Sequence, residues 1–286
     1  MATPLTANDV ARGTWLMIIA AFLLASAATS ARLATDGMSV LLAVFCTNLV
    51  MFVIMSSWML VMRPAGGIRT KKLGKHFLRS VFTYAALVTY FYALVEIPFA
   101  NAVVLQSMGP VFVPILAFLI FRRLADRYVW LGVVLSFLGV LLIVRPDQIG
   151  ISFGEVAALL AALGGAAAAI VIWSLAETEP VDRQMFYFSL FTCLLSAIPL
   201  PWVWQPLALA QFLPIIAVGS FTISAQFFYA WSFSVAPGDK VISWSYMAIV
   251  FAALFGLVIW EEPLVLLTLL GSAMVVAGAH LATQQR

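Results

Sequence analysis

Two amides and a set of aromatic rings are the residues of this chain best suited to chemistry, and that chemistry is recognition rather than bond-making. Gln106 and Gln226 stand inside long apolar runs, where an unpaired amide is costly to keep from water. Each therefore either bonds a neighbouring helix or faces a wet cavity. At helical spacing Ala102, Gln106, Gly109 and Val113 share one face, and Thr222, Gln226, Tyr229 and Phe233 share another. Both faces mix small, polar and aromatic groups, as the wall of a solute pathway would. Tyr84, Tyr90, Asn101, Trp173, Trp244 and Tyr246 join them as pathway candidates, with Asn48, Ser107 and Ser243 behind. Trp173 lies near the end of its run, so an interfacial anchor competes with the pathway there.

Rings and neutral amides suit a zwitterion with an apolar side chain. Aromatic pairs contribute about 0.5–1.5 kcal/mol and an ammonium over a ring about 0.5–2 kcal/mol. Contacts that weak let a solute leave as well as enter. A phosphate ester would be expected to need Arg or Lys inside, and none is evident away from the ends of the apolar runs.

Bond-making chemistry lacks its spacings. No Gly-x-Ser-x-Gly and no His-Glu-x-x-His occurs, and both histidines, His76 and His280, lie at run ends. Cys46 and Cys193 sit in apolar runs without a nearby His or Cys, which suits packing better than a metal or a disulfide. Neither enzyme activity nor a metal or cofactor is expected. Glu96 stands beside Pro98 and Asp239 beside Gly238, both at turns. A central charge costs about 2.5–3.5 kcal/mol and usually marks ion or proton handling. The expectation is a facilitator; a proton-coupled exporter and a membrane-embedded enzyme are the alternatives.

These residues need lipid around them. Of 286 residues 64% are hydrophobic and 9% charged, against roughly a quarter charged in a soluble domain. So few ionic groups cannot cover a water-soluble surface. With roughly 20 apolar residues per crossing, punctuation divides the chain into ten runs: 13–33, 38–62, 77–96, 99–121, 127–144, 153–175, 183–203, 210–234, 239–260 and 264–283. The first run also imitates a secretion signal, with Arg12 before it and Ala25-Ser26-Ala27 within it. That reading fails because removing the run would orphan its counterpart in the second half.

Basic residues orient the array. With both termini cytoplasmic, inner segments hold Arg12, Arg63, Arg69, Lys71, Lys72, Lys75, Arg79, Arg122, Arg123, Arg127, Arg183, Lys240 and Arg286, and outer ones only Arg32 and Arg145. That segregation favours an even span count with N and C termini inside. The stretch from Arg63 to Arg79 reads as a topology anchor that could also touch anionic lipid, and no nucleic-acid role is expected.

A shift of 139 residues lays Pro98 on Pro237, Val111-Phe112 on Val250-Phe251, Leu131-Gly132 on Leu270-Gly271 and Gly139 on Gly278. A shift of 141 lays Gly13 on Gly154. Five spans per half make the second copy enter from the opposite side, so residues 1–147 and 148–286 form an inverted repeat of the kind alternating-access carriers use. Small residues on span five (Gly132, Ser136, Gly139) recur on span ten (Gly271, Gly278). They suit close helix packing within a half or between protomers of a homo-oligomer.

With its ten spans, inverted halves and cytoplasmic termini, the chain resembles the drug/metabolite transporter superfamily, specifically its EamA-type exporters. The likeness rests on Ala102 through Pro110-Val111-Phe112, on Trp260-Glu261-Glu262-Pro263 and on the Gly-x6-Gly of the helix that follows in each half. The first half departs from the pattern: Arg122-Arg123 stand where such halves usually carry an acid, leaving Glu262 as its counterpart. The aromatic content resembles the YddG-type aromatic amino-acid exporters. The resemblance implies an all-α inner-membrane carrier of small molecules, with a central cavity lined by spans one to four and six to nine.

Overall fold

Prolines and glycines set the helix ends. Pro98 disfavours a helical conformation at Ile97, and α3 (Leu73–Glu96) ends there before α4 (Phe99–Gln106) begins. Ser152 and Glu155 form a reciprocal capping box, with Ser152 N donating to Glu155 Oε2 at 2.8 Å, and α7 (Phe153–Ala176) starts on it. The computed structural model describes residues 7–35, 37–64, 67–121, 127–144, 152–176, 178–236, 241–262 and 266–283. Arg122-Arg123, Arg145, Pro237-Gly238-Asp239-Lys240, Pro263 and Arg286 lie outside them.

Among the described residues every element is helical. Besides those named, the chain forms α1 (Ala7–Ala34), α2 (Val40–Met62), α5 (Gly109–Phe121), α6 (Arg127–Val144), α8 (Val181–Ala197), a short α9 (Leu200–Val203) and α10 (Leu209–Val235). A 3-10 turn (Ile242–Tyr246), α11 (Met247–Trp260) and α12 (Leu266–Thr283) complete it. Five stretches, Asp9–Ala34, Val40–Met62, Leu73–Glu96, Phe153–Ile172 and Leu209–Val235, are long and apolar enough to cross a membrane.

The run expected over 99–121 is not one helix. It breaks at Ser107-Met108 between α4 and α5, because Pro110 has no N–H to give the Gln106 carbonyl. The run expected over 239–260 enters through the 3-10 turn ending at Tyr246. The offset of 139 carries Ser107 onto Tyr246, so the two irregularities coincide.

The most extensive packing joins α1 to α10, α3 to α7 and α6 to α12, followed by α2 with α8 and α10, and α3 with α8. Each pairing unites a helix before residue 147 with one after it. The main apolar core likewise draws on both segments, with Leu42, Phe91, Leu94, Phe99 and Leu105 against Ala158, Ile215 and Ile249. The small-residue stripes, expected within one five-helix segment or between protomers, face each other across residue 147. They let α6 and α12 touch: a Cβ on Gly139 would stand 2.6 Å from the Gly271 carbonyl oxygen, and one on Gly278 2.5 Å from that of Gly132.

Candidate functional site

The expected pathway residues divide between two apolar clusters, and Tyr229 of one lies close enough to Tyr246 of the other to act on it electrostatically. Tyr84 and Tyr90 on α3 are half-buried against the main core, and Tyr246 belongs to it at 2% exposure. Tyr229 packs edge-on to Phe233 at 4.7 Å, beside Met17, Ala236 and Val241. Trp244, two residues before Tyr246 on the tight turn, is 44% exposed. Asn101, Gln106 and Gln226 are half-buried. The side chains of Trp173 and Ser243 lie outside the described residues.

Better pathway candidates are polar atoms the fold buries without satisfying. Asn48, on α2, is fully buried and neither its amide oxygen nor its amide nitrogen has a partner; Thr29, Thr47 and the Tyr246 hydroxyl are in the same state. Unsatisfied buried groups cost about 1–3 kcal/mol each, so they call for a water or a solute. Asn48 was visible as an amide in an apolar run, and its burial between packed helices raises it above Gln106 and Gln226.

Each end of the bundle is tied by polar contacts between the two segments. At the end of the α2–α3 connection, Thr70 Oγ1 donates to Glu179 Oε1 at 2.8 Å, Lys72 Nζ to Thr178 Oγ1 at 2.6 Å and Lys75 Nζ to Ser174 Oγ at 2.8 Å. Arg183 Nε donates to the Gly67 carbonyl at 2.9 Å and Tyr187 Oη to that of Ile68 at 2.7 Å. At the other end Arg32 Nη1 meets Glu262 Oε1 at 2.6 Å, and the same oxygen accepts Phe99 N–H at 3.0 Å. Trp260 lies 4.5 Å from the Arg32 guanidinium and 4.9 Å from the Phe99 ring.

Burial opposes ionisation of Glu179, but hydrogen bonds from Thr70 and Arg183 and the charges of Arg183 and His76 outweigh it. Its carboxyl is therefore held below the usual carboxylate range.

Two residues at this end are buried. His76, at a run end as expected and in the first turn of α3, is fully buried, its ring 4.9 Å from that of Tyr187. Arg79, read with its basic neighbours as a topology anchor, sits in the second turn of α3 at 1% exposure. The interior thus holds the arginine that the sequence did not show. Helix α3 begins at Leu73, earlier than the apolar run, and α8 packs over its start. The basic stretch hid this, because a charge beside five others reads as solvated.

Comparison with known proteins follows the same lines. A family profile described as the EamA-like transporter family matches residues 11–145. The pseudopaline exporter of Pseudomonas aeruginosa is 32% identical over 221 residues, covering 76% of this chain and 78% of that protein. The S-adenosylmethionine uptake transporter of Rickettsia prowazekii is 22% identical over 68% of this chain and 66% of its own. The riboflavin transporter of Brucella anthropi is 23% identical over 71% and 73%. A solved crystal structure superposes with a TM-score of 0.68 at 21% identity, covering 97% of this chain and 98% of its own, a likeness of fold.

Proposed function

We infer the function from one premise: the chain belongs to the EamA-like transporter family. Its relatives are transporters of metabolites in bacterial membranes, and it is an integral membrane transporter of the same kind. We propose that it exports small metabolites, amino acids with aromatic or large hydrophobic side chains first among them. In this reading ten spans form two inverted halves, 1–147 and 148–286, both termini are cytoplasmic, and the halves open the pathway alternately to each side.

One observation carries the reading, the interchangeability of the packing. Exchanging the halves turns α1 on α10 into α7 on α3, α2 on α10 into α8 on α3, and α1 on α11 into α7 on the α4–α5 pair, and all six contacts occur. A bundle whose contacts survive that exchange supports two mirrored states of similar energy, which alternating access requires.

The carboxylates among the described residues, Asp9, Glu96, Glu155, Glu179, Asp182, Glu261 and Glu262, all stand in end turns or connections. That placement favours a facilitator over a carboxylate proton relay.

The test is uptake of radiolabelled L-phenylalanine into proteoliposomes, competed by Trp, Met, Thr and unrelated metabolites. Saturable uptake lost on replacing Asn48 or Gln106 by Ala is the expected outcome. Uptake unaltered by Asn48→Ala, Gln106→Ala, Gln226→Ala and Trp244→Ala would remove the pathway assignment.

A further inference from the structure

Arg79 carries a full charge into surroundings that barely compensate it. Its Nη1 donates to the Gln184 carbonyl at 3.4 Å, its guanidinium lies 5.0 Å from the Phe188 ring, and its Nε has no partner. Among the described residues no carboxylate forms an ion pair with it. Glu179 is committed to Thr70 and Arg183, with His76 Nε2 at 3.7 Å. A buried cation left in this state destabilises a fold, so its retention asks for a purpose.

An orphaned acceptor stands beside this orphaned donor. Gln184 gives its side-chain N–H to the Glu179 carbonyl at 2.9 Å, while its Oε1 is buried with no partner. Phe188, one turn along α8, adjoins Met51, Met55 and Met185 in an apolar cluster, whose flexible thioethers adapt to varied shapes. A free N–H of a guanidinium, a free amide oxygen and an apolar wall match the carboxylate, the ammonium and the side chain of one molecule. A single uncompensated positive charge matches a monocarboxylate better than a phosphate dianion.

We propose that Arg79 and Gln184 form a binding site for the α-carboxylate and α-ammonium of a zwitterionic amino acid, with Phe188 and the methionine cluster receiving its side chain. The site lies between α3 and α8, on opposite segments of the chain. Parting these helices at the end tied by Thr70–Glu179 and Lys72–Thr178 admits the solute, and the guanidinium exchanges its long bond to the carbonyl for a bidentate one to carboxylate. This rests on the transport reading above and names the headgroup that reading leaves open.

The experiment uses the purified full chain and three probes: L-phenylalanine, 3-phenylpropionate (carboxylate without ammonium) and 2-phenylethylamine (the reverse). L-phenylalanine and 3-phenylpropionate should raise the thermal midpoint and 2-phenylethylamine should not. Arg79→Gln should raise the ligand-free midpoint, because it removes a buried charge, and should abolish the response to both carboxylates. A lowered midpoint with the response intact means a structural arginine and overturns the site. If Arg79→Gln does not fold, Arg79→Lys keeps the charge without the fork and should weaken binding roughly tenfold; unchanged binding overturns the site. Flux separates the two readings. Phenylalanine flux that survives Arg79→Gln undamaged sinks the site and leaves the carrier standing. Arg79-dependent stabilisation by 3-phenylpropionate without phenylalanine flux supports the site and sinks the proposed cargo.

Discussion

Gly13 meets Ala236 so closely that a Cβ on the glycine would stand 2.6 Å from the alanine Cβ. Gly154 meets Ile97 in the same fashion, its added Cβ 2.7 Å from the isoleucine Cγ2. An offset of 141 carries Gly13 to Gly154 and one of 139 carries Ile97 to Ala236, so the two crossings are counterparts. Each brings a helix start against the end of its principal partner, α1 on α10 and α7 on α3. Both glycines therefore play the same role, by contact rather than by turn conformation.

Alanine at these glycines should reverse its usual effect. In open helix a Gly→Ala change stabilises by about 0.5–1 kcal/mol, and Gly165, with nothing within 4 Å of an added Cβ, should show that gain. Gly13→Ala and Gly154→Ala must push helices apart and should instead cost about 1–3 kcal/mol each. Thermal midpoints in detergent compare the three, and equal shifts at all of them would refute the crossing argument.

The Arg32–Glu262 pair should resist charge reversal. Both side chains are about a quarter exposed or less, at 24% and 20%, so removing either partner should cost only about 1 kcal/mol after solvent screening. The reversed pair, Arg32→Glu with Glu262→Arg, restores the attraction but leaves Phe99 N–H without its acceptor. It should recover less than half of the loss in thermal unfolding. Full recovery would mean that the Phe99 bond contributes nothing.

Acid should loosen the opposite end. The Glu179 carboxyl has its folded pKa lowered, so its stabilisation is complete above the unfolded value and disappears as pH falls through the folded one. With an unfolded value of about 4.3, the thermal midpoint should fall as pH drops below about 4. Glu179→Gln should lower the midpoint at neutral pH and flatten that acid limb. An unchanged acid limb in the variant would assign the pH dependence elsewhere.

The architecture was largely legible because each signal had one physical source. Apolar run length located the helices and Pro98 marked the boundary between α3 and α4, whereas the Ser152–Glu155 capping box at the start of α7 went unread. The break at Ser107-Met108 follows from Pro110, yet length alone merged α4 with α5. The site was less legible. Burial of Arg79 and His76 arises from α8 folding over the start of α3, a tertiary event with no local signature. Asn48 and Gln106 look alike in sequence, and only packing separates a fully buried amide from a half-buried one. Tyr229 and Tyr246 lie in different runs, and only the fold brings them within electrostatic reach of each other.

Facilitated transport makes its own prediction. Imposing a pH gradient across proteoliposomes should change the initial rate of L-phenylalanine uptake less than twofold, about 0.4 kcal/mol in driving terms. Concentrative uptake dependent on the gradient would establish proton coupling instead.

Counterflow measures the carrier claim most directly. Proteoliposomes loaded with unlabelled L-phenylalanine and diluted into a trace of the labelled amino acid should accumulate label transiently above equilibrium, because a site exposed to one side at a time exchanges solute for solute. Accumulation that never exceeds equilibrium, in vesicles where the protein is folded and inserted, would contradict a phenylalanine carrier with two alternating openings.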